Sequence, residues 1–171
     1  MTTQELSRPR HDRDFYAWAL DQARRLRELA RLRPNEPIDW ELLADEVEDM
    51  GKSAQRAAES FLKLAIGHLL KIDHAADAAS LRHWAKELNA FRKNLRRALS
   101  DALEAKLRRE LAAIYEVARA EAIATMPLDP ELEARTPDAC PYTWEQITGD
   151  WLPERAVAEP PEPRRRPRRR G

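Results

Sequence analysis

Apolar residues recur along most of this chain at intervals of three and four, the spacing that places them on one face of an α-helix, and strand-type alternation is absent. Phe15, Trp18, Ala19, Leu26 and Leu29 outline a first helix that Asp12 or Asp14 would cap and that ends before Pro34. Asn35, Glu36 and Pro37 read as a turn. Asp39 is then placed to cap a second helix with Leu43, Val47 and Met50 as its stripe. Gly51 followed by Ser53 predicts a break or kink, although a continuous helix satisfies the same pattern. A third helix, roughly 54 to 72, carries Ala58, Phe61, Leu62, Ala65, Ile66, Leu69 and Leu70, a face broad enough for the centre of a bundle.

After the small-residue link 75 to 79, Ser80 is a candidate cap for a helix with Leu81, Trp84, Leu88, Phe91, Leu95 and Leu99 in register. Asp101 and Glu104, at capping-box spacing, predict a bend or new helix that turns Leu107, Leu111, Ile114 and Val117 inward and closes at Met126-Pro127. Thr143 and Gln146 repeat the capping-box spacing before a short helix stopped by Gly149. Trp151 and Leu152 are expected to bury against the bundle, and Pro153 to mark its edge. The expected architecture is all-α: a bundle of about five main helices plus a short C-terminal helix. Its expected domain spans 12-154, between a flexible N-terminus at 1-11 and an extended Pro/Arg-rich tail at 155-171.

Composition agrees with helices: 35% of the 171 residues are charged and only four are glycine. The zero net charge conceals an asymmetry. Residues 1–153 carry 23 basic and 27 acidic side chains, whereas 154–171 carry seven and three. Any electrostatic attraction to nucleic acid therefore concerns the tail, where Arg164, Arg165, Arg166, Arg168, Arg169 and Arg170 fill six of seven positions. No aromatics interleave them, so binding to RNA or DNA there would be non-specific and salt-sensitive. Cys140 is the single cysteine, which excludes an internal disulfide and suits a reducing cytoplasm. The start of the chain lacks a signal-peptide pattern, and its apolar runs are too short to span a bilayer, so no membrane role is expected.

The order and spacing of several short pieces resemble the domain-of-unknown-function family 29, a bacterial group of small helical proteins. The pieces are Asp14-Phe15-Tyr16-Ala17-Trp18, Asp39-Trp40-Glu41-Leu42-Leu43 with Glu46 and Met50-Gly51, His68-Leu69-Leu70-Lys71, Trp84 with Arg92, and Cys140-Pro141-Tyr142-Thr143 leading to Trp151-Leu152-Pro153-Glu154. The resemblance implies a helical fold and no activity. It departs after Lys71, where Ile72-Asp73-His74 and alanines stand in place of an aromatic and a Gln-Pro turn.

Candidate chemistry is sparse. His74 and Asp77 lie three apart, but no Glu-x-x-His pair supports a carboxylate-bridged metal, so neither metal nor cofactor is expected. Cys140 precedes a proline with no histidine adjacent in sequence, and neither a nucleophile elbow nor a phosphate loop exists. His68 sits among Ile66, Leu69 and Leu70, so its ring needs a polar partner, for which Glu41, Asp45 or Glu46 is a candidate. The resemblance adds a candidate groove of Glu46, His68, Lys71, Trp84 and Arg92. Arg92, Lys93, Arg96 and Arg97 offer a basic surface, and the acidic run Asp45 to Asp49 reads as a solvated face. The expected function is a non-enzymatic interaction module with an unidentified protein partner and no defined oligomeric state. Nucleic-acid binding through the tail and an enzyme site near His68 are the alternatives.

Overall fold

The computed structural model describes residues 11–33, 36–74, 78–126 and 132–157. Among the described residues, four long helices, α1 (Phe15–Leu32), α2 (Trp40–His74), α3 (Ala78–Ala98) and α4 (Asp101–Thr125), precede three short ones, α5 (Leu132–Arg135), α6 (Trp144–Thr148) and α7 (Glu154–Val157). No strand occurs among the described residues.

The expected break at Gly51 does not occur, and the second and third predicted helices are one helix of 35 residues. Gly51 serves close approach instead. It is buried, and a Cβ built there would stand 3.0 Å from the Cβ of Ala19 on α1. Ala19, Ala23 and Ala44 are likewise buried in this seam, so α1 and the first half of α2 form a hairpin packed through small side chains. The small positions extend along α2, where Ala44, Gly51, Ala58 and Ala65 follow at intervals of seven and all are buried, with Ile72 next in the row. The predicted stripe shifts accordingly: Leu43 and Met50 are 43% and 54% exposed, and Ala44 and Gly51 face inward in their place.

The second half of α2 packs against α3 and α4 through large residues. Leu62, Ile66, Leu69 and Leu70 meet Leu88 and Leu95 of α3 and Leu103, Leu107 and Tyr115 of α4 in one continuous core. The predicted α3 stripe lies on this core throughout. That of α4 holds at Leu107, Leu111 and Ile114 and departs at Val117, which is half exposed while Ala118 is buried.

Caps set the helix boundaries. Asp39 Oδ1 accepts the Leu42 N–H at 3.0 Å. Ser80, the expected cap, lies inside α3, which begins at Ala78. Ser100 caps α4, one residue before the expected Asp101, and Thr143 with Gln146 completes the capping box of α6. Gly149 ends α6 by donating its N–H to Glu145 O at 2.9 Å. Asp14 caps α1 through Ala17 N–H at 3.0 Å and also accepts from Ser100 Oγ at 2.8 Å and Ala102 N–H at 3.1 Å. One carboxylate thus occupies the electropositive N-termini of two helices and ties the hairpin to the body.

From 132 to 153 the chain has little regular structure beyond α5 and α6, and carbonyls of this segment find donors on arginines of the long helices. Arg119 donates to Thr136 O and Glu133 O, and Arg92 to Ile147 O and Gln146 O. Tyr115 Oη donates to Pro137 O at 2.6 Å. Arg108 lies over the Trp144 ring, 4.9 Å from its centroid. Tyr142, Trp144 and Ile147 insert into the core, whereas Trp151, expected to be buried, is 40% exposed. Leu152 and, beyond the expected edge at Pro153, Ala156 pack against the core.

Candidate functional site

His68 projects from the middle of the broad face of α2 and is 7% exposed. Its Nδ1 lies 2.9 Å from Leu64 O, and its Nε2 lies 2.9 Å from Glu87 Oε2 on α3. Both partners are acceptors, so both contacts are hydrogen bonds at once only when the ring is imidazolium, whose charge the Glu87 carboxylate neutralises. The Phe91 ring meets the imidazole edge-on at 4.9 Å. The partner is therefore not Glu41, Asp45 or Glu46, which lie some 22 to 27 residues earlier on α2, over 30 Å along the axis at about 1.5 Å per residue. The hydrogen bond from His68 comes first among the influences holding the Glu87 carboxyl below its usual range. His83, 3.4 Å away, and Lys71 reinforce it against burial.

Glu87 is the only acidic residue of α3, among six lysines and arginines. A lone carboxylate in a basic helix is the sequence signal that marks it as a partner.

The five candidate groove residues do not converge. His68 and Lys71 share a cleft of about 150 Å³ with Gly67 of α2 and Ala118, Glu121 and Thr125 of α4. Trp84 is half-buried against the core. Arg92 is fully buried and faces α6, where it holds the carbonyls of Gln146 and Ile147. Burial lowers the pKa of its guanidinium to about 10, and among the described residues its Nη1, like Trp40 Nε1, is buried without a hydrogen-bond partner. Arg92 thereby leaves the expected basic surface, and Arg96 on the next turn pairs with Asp150 at 3.0 Å. Glu46 stands on the exposed side of the hairpin.

Both ring nitrogens of His68 face acceptors of the fold, Leu64 O and Glu87. Among the described residues no group of three His, Cys, Asp or Glu side chains is placed to hold a metal ion. His74 ends α2, and Asp77 lies outside the described residues. The Cys140 thiol is half-buried and pushed up by burial, and it donates to Tyr142 O at 3.5 Å. The Tyr142 hydroxyl donates to Asp73, and burial, with that carboxylate second, pushes its ionisation far above the usual tyrosine range. The arginines 164–166 and 168–170 lie outside the described residues.

Most of the large apolar exposure lies on the hairpin: Leu32 (77%), Ile38 (44%), Leu42 (56%), Leu43 and Met50. The acidic run beside it is partly engaged. Arg27 of α1 reaches Asp45 at 2.8 Å and Glu48 at 2.6 Å, and Lys52 reaches Glu48 at 2.8 Å. A second surface feature is a cleft of about 570 Å³ between α2 and α4, with Ile114 and Val117 among lining charges such as Arg56, Lys63 and Glu110.

The family model described as "Domain of unknown function DUF29" matches residues 11–152. The chain belongs to that family. A crystal structure of an alpha-helical protein of unknown function from Rhodospirillum rubrum shares the fold, with a TM-score of 0.68 at 21% identity over 86% of this chain and 95% of that one. No curated protein matches. The DUF29 match ends at Leu152, so it takes in the hairpin, the His68–Glu87 pair and the arginine-held segment, and leaves the arginine tail outside. Among the described residues of this DUF29 chain, no helix is long and apolar enough to cross a membrane.

Proposed function

We propose that this protein is a non-enzymatic interaction module of the bacterial cytoplasm that engages a protein partner through the hairpin of α1 and α2. The observation that carries the reading is the large apolar exposure along that hairpin, where Leu32, Ile38, Leu42, Leu43 and Met50 are each at least 43% exposed. Exposing several large apolar side chains on one hairpin to water is unfavourable unless another surface covers them, at roughly 25 cal/mol per Å² of apolar area. The polar clusters support the same reading. His68, Arg92 and Tyr142 spend their hydrogen bonds joining elements of the fold rather than lining a cavity sized for a substrate.

The test is capture from a bacterial lysate by the full chain, by a Leu42→Ser/Met50→Ser variant, and by a full-length variant with serine at the six tail arginines, with and without nuclease. Proteins held by the wild-type chain and released by the hairpin variant support the module. Nucleic acid held at low salt by every chain except the tail variant would move the function to the tail.

A further inference from the structure

The exposed face of the hairpin is not uniformly apolar, and its one central charge narrows what it accepts. At 3.6 residues per turn, Leu42, Leu43 and Met50 fall within a sector of about 100° on α2, and Ala44 and Gly51, which face α1, point away from its centre. Glu46 lies inside that sector, one turn from Leu42 and one turn from Met50. It is exposed, and no basic side chain of the hairpin reaches it, whereas Asp45 and Glu48 are engaged by Arg27 and Asp49 approaches Lys52 at 3.6 Å. The segment Trp40–Met50 carries five acidic residues and no basic ones. A carboxylate ringed by exposed leucine and methionine is costly to cover with an apolar surface alone, because closing the contact strips its water.

We propose that this face docks a cationic amphipathic helix of another protein, its apolar residues covering Leu42, Leu43 and Met50 and an arginine or lysine meeting Glu46. The proposal rests on the interaction-module reading and names the partner chemistry. Charge selects this occupant over two others. A second copy pairing through the same face would bring two acidic segments together, and across a two-fold axis near Glu46 it would set that carboxylate against itself. The chain's own run Arg164–Arg170 has the charge but contains only arginine and proline, so it supplies nothing to cover the apolar half.

The probe is a pair of dye-labelled synthetic helices with leucines at i, i+3, i+4 and i+7, one carrying arginines at the remaining positions and the other glutamates, titrated with the full chain by fluorescence anisotropy. The arginine helix is expected to bind at least about tenfold more tightly than the glutamate helix. Glu46→Arg and Leu42→Ser/Met50→Ser are each expected to weaken it by at least about tenfold while helical circular dichroism is unchanged. A loss confined to Glu46→Arg would reduce the effect to general electrostatics and overturn the proposal, as would equal affinity for both helices.

Tighter binding by the variant with serine at the six tail arginines would assign the face to the tail. Sedimentation of the free chain as a dimer that Leu42→Ser/Met50→Ser dissociates would assign it to a second copy. Either result overturns the foreign partner and leaves the module reading standing. That reading itself fails if the lysate captures are identical for the wild type and Leu42→Ser/Met50→Ser.

Discussion

The two halves of α2 are continuous in backbone and opposite in construction. From Ala58 to Ile72 the helix is flanked by α3 and α4 and buries leucines and isoleucines; from Trp40 to Gly51 it buries the small residues Ala44 and Gly51 against α1 and leaves its leucines and a methionine in water. Large interlocking side chains hold the body through buried apolar area. The hairpin is held by backbone proximity, a few ion pairs around Arg27 and the shared cap at Asp14. The face proposed to meet a partner lies on the half of α2 that leaves its large apolar side chains in water.

This contrast is broken most directly in the body. Leu69→Ala, at a fully buried position, is expected to cost about 2–5 kcal/mol in chemical denaturation. A cost below about 1 kcal/mol would mean the body is no better packed than the hairpin.

Gly51→Leu should cost about 1–3 kcal/mol, because the side chain has to enter space held by Ala19 Cβ and the gain in helix propensity does not compensate. Hydrogen exchange should rise in α1 and the first half of α2 and remain unchanged at Leu62–Leu70, and a uniform rise would show that the halves unfold as one.

Asp14→Ala removes the cap of α1 and the acceptor for Ser100 and Ala102 together, with an expected loss of about 1–2 kcal/mol. If hydrogen exchange in the first turn of α1 is unchanged by Asp14→Ala, the link to Ser100 and Ala102 is what matters and the α1 cap adds little.

Tyr142→Phe, which deletes the hydroxyl donated to Asp73, should cost about 1 kcal/mol at neutral pH. The folded state keeps this proton after the unfolded chain begins to release it near pH 10, so the tyrosine contributes stability at neutral pH that declines as pH rises above that value. Urea midpoints of wild type and variant should therefore converge between about pH 9 and 11; parallel profiles would contradict the buried hydroxyl.

The smallest effect on stability is expected at the exposed face, where Leu42→Ser should change the unfolding free energy by no more than about 0.5 kcal/mol. A larger loss would mean that this leucine belongs to the fold rather than to a partner.

The sequence by itself determined the helices and their caps at Asp39, Thr143 and Gly149, because three-four periodicity and capping chemistry are local and act within one or two turns. It also determined the large-residue faces of the second half of α2 and of α3, since residues that bulky and so regularly spaced have no stable place except against other helices. The tertiary structure decided what depends on a neighbour distant in sequence. Gly51 is a helix stop or a point of close approach according to whether Ala19 lies beside it, and glycine is suited to both. Periodicity alone points Leu43 and Met50 inward, and only the placement of α1 against Ala44 turned them to the solvent. His68 needed an acceptor, but Glu87 supplied it only once α3 had folded back along α2. Arg92 sits in a basic stretch that reads as surface, and it is buried because the carbonyls of Gln146 and Ile147, 54 and 55 residues further on, needed a donor that water could not provide there.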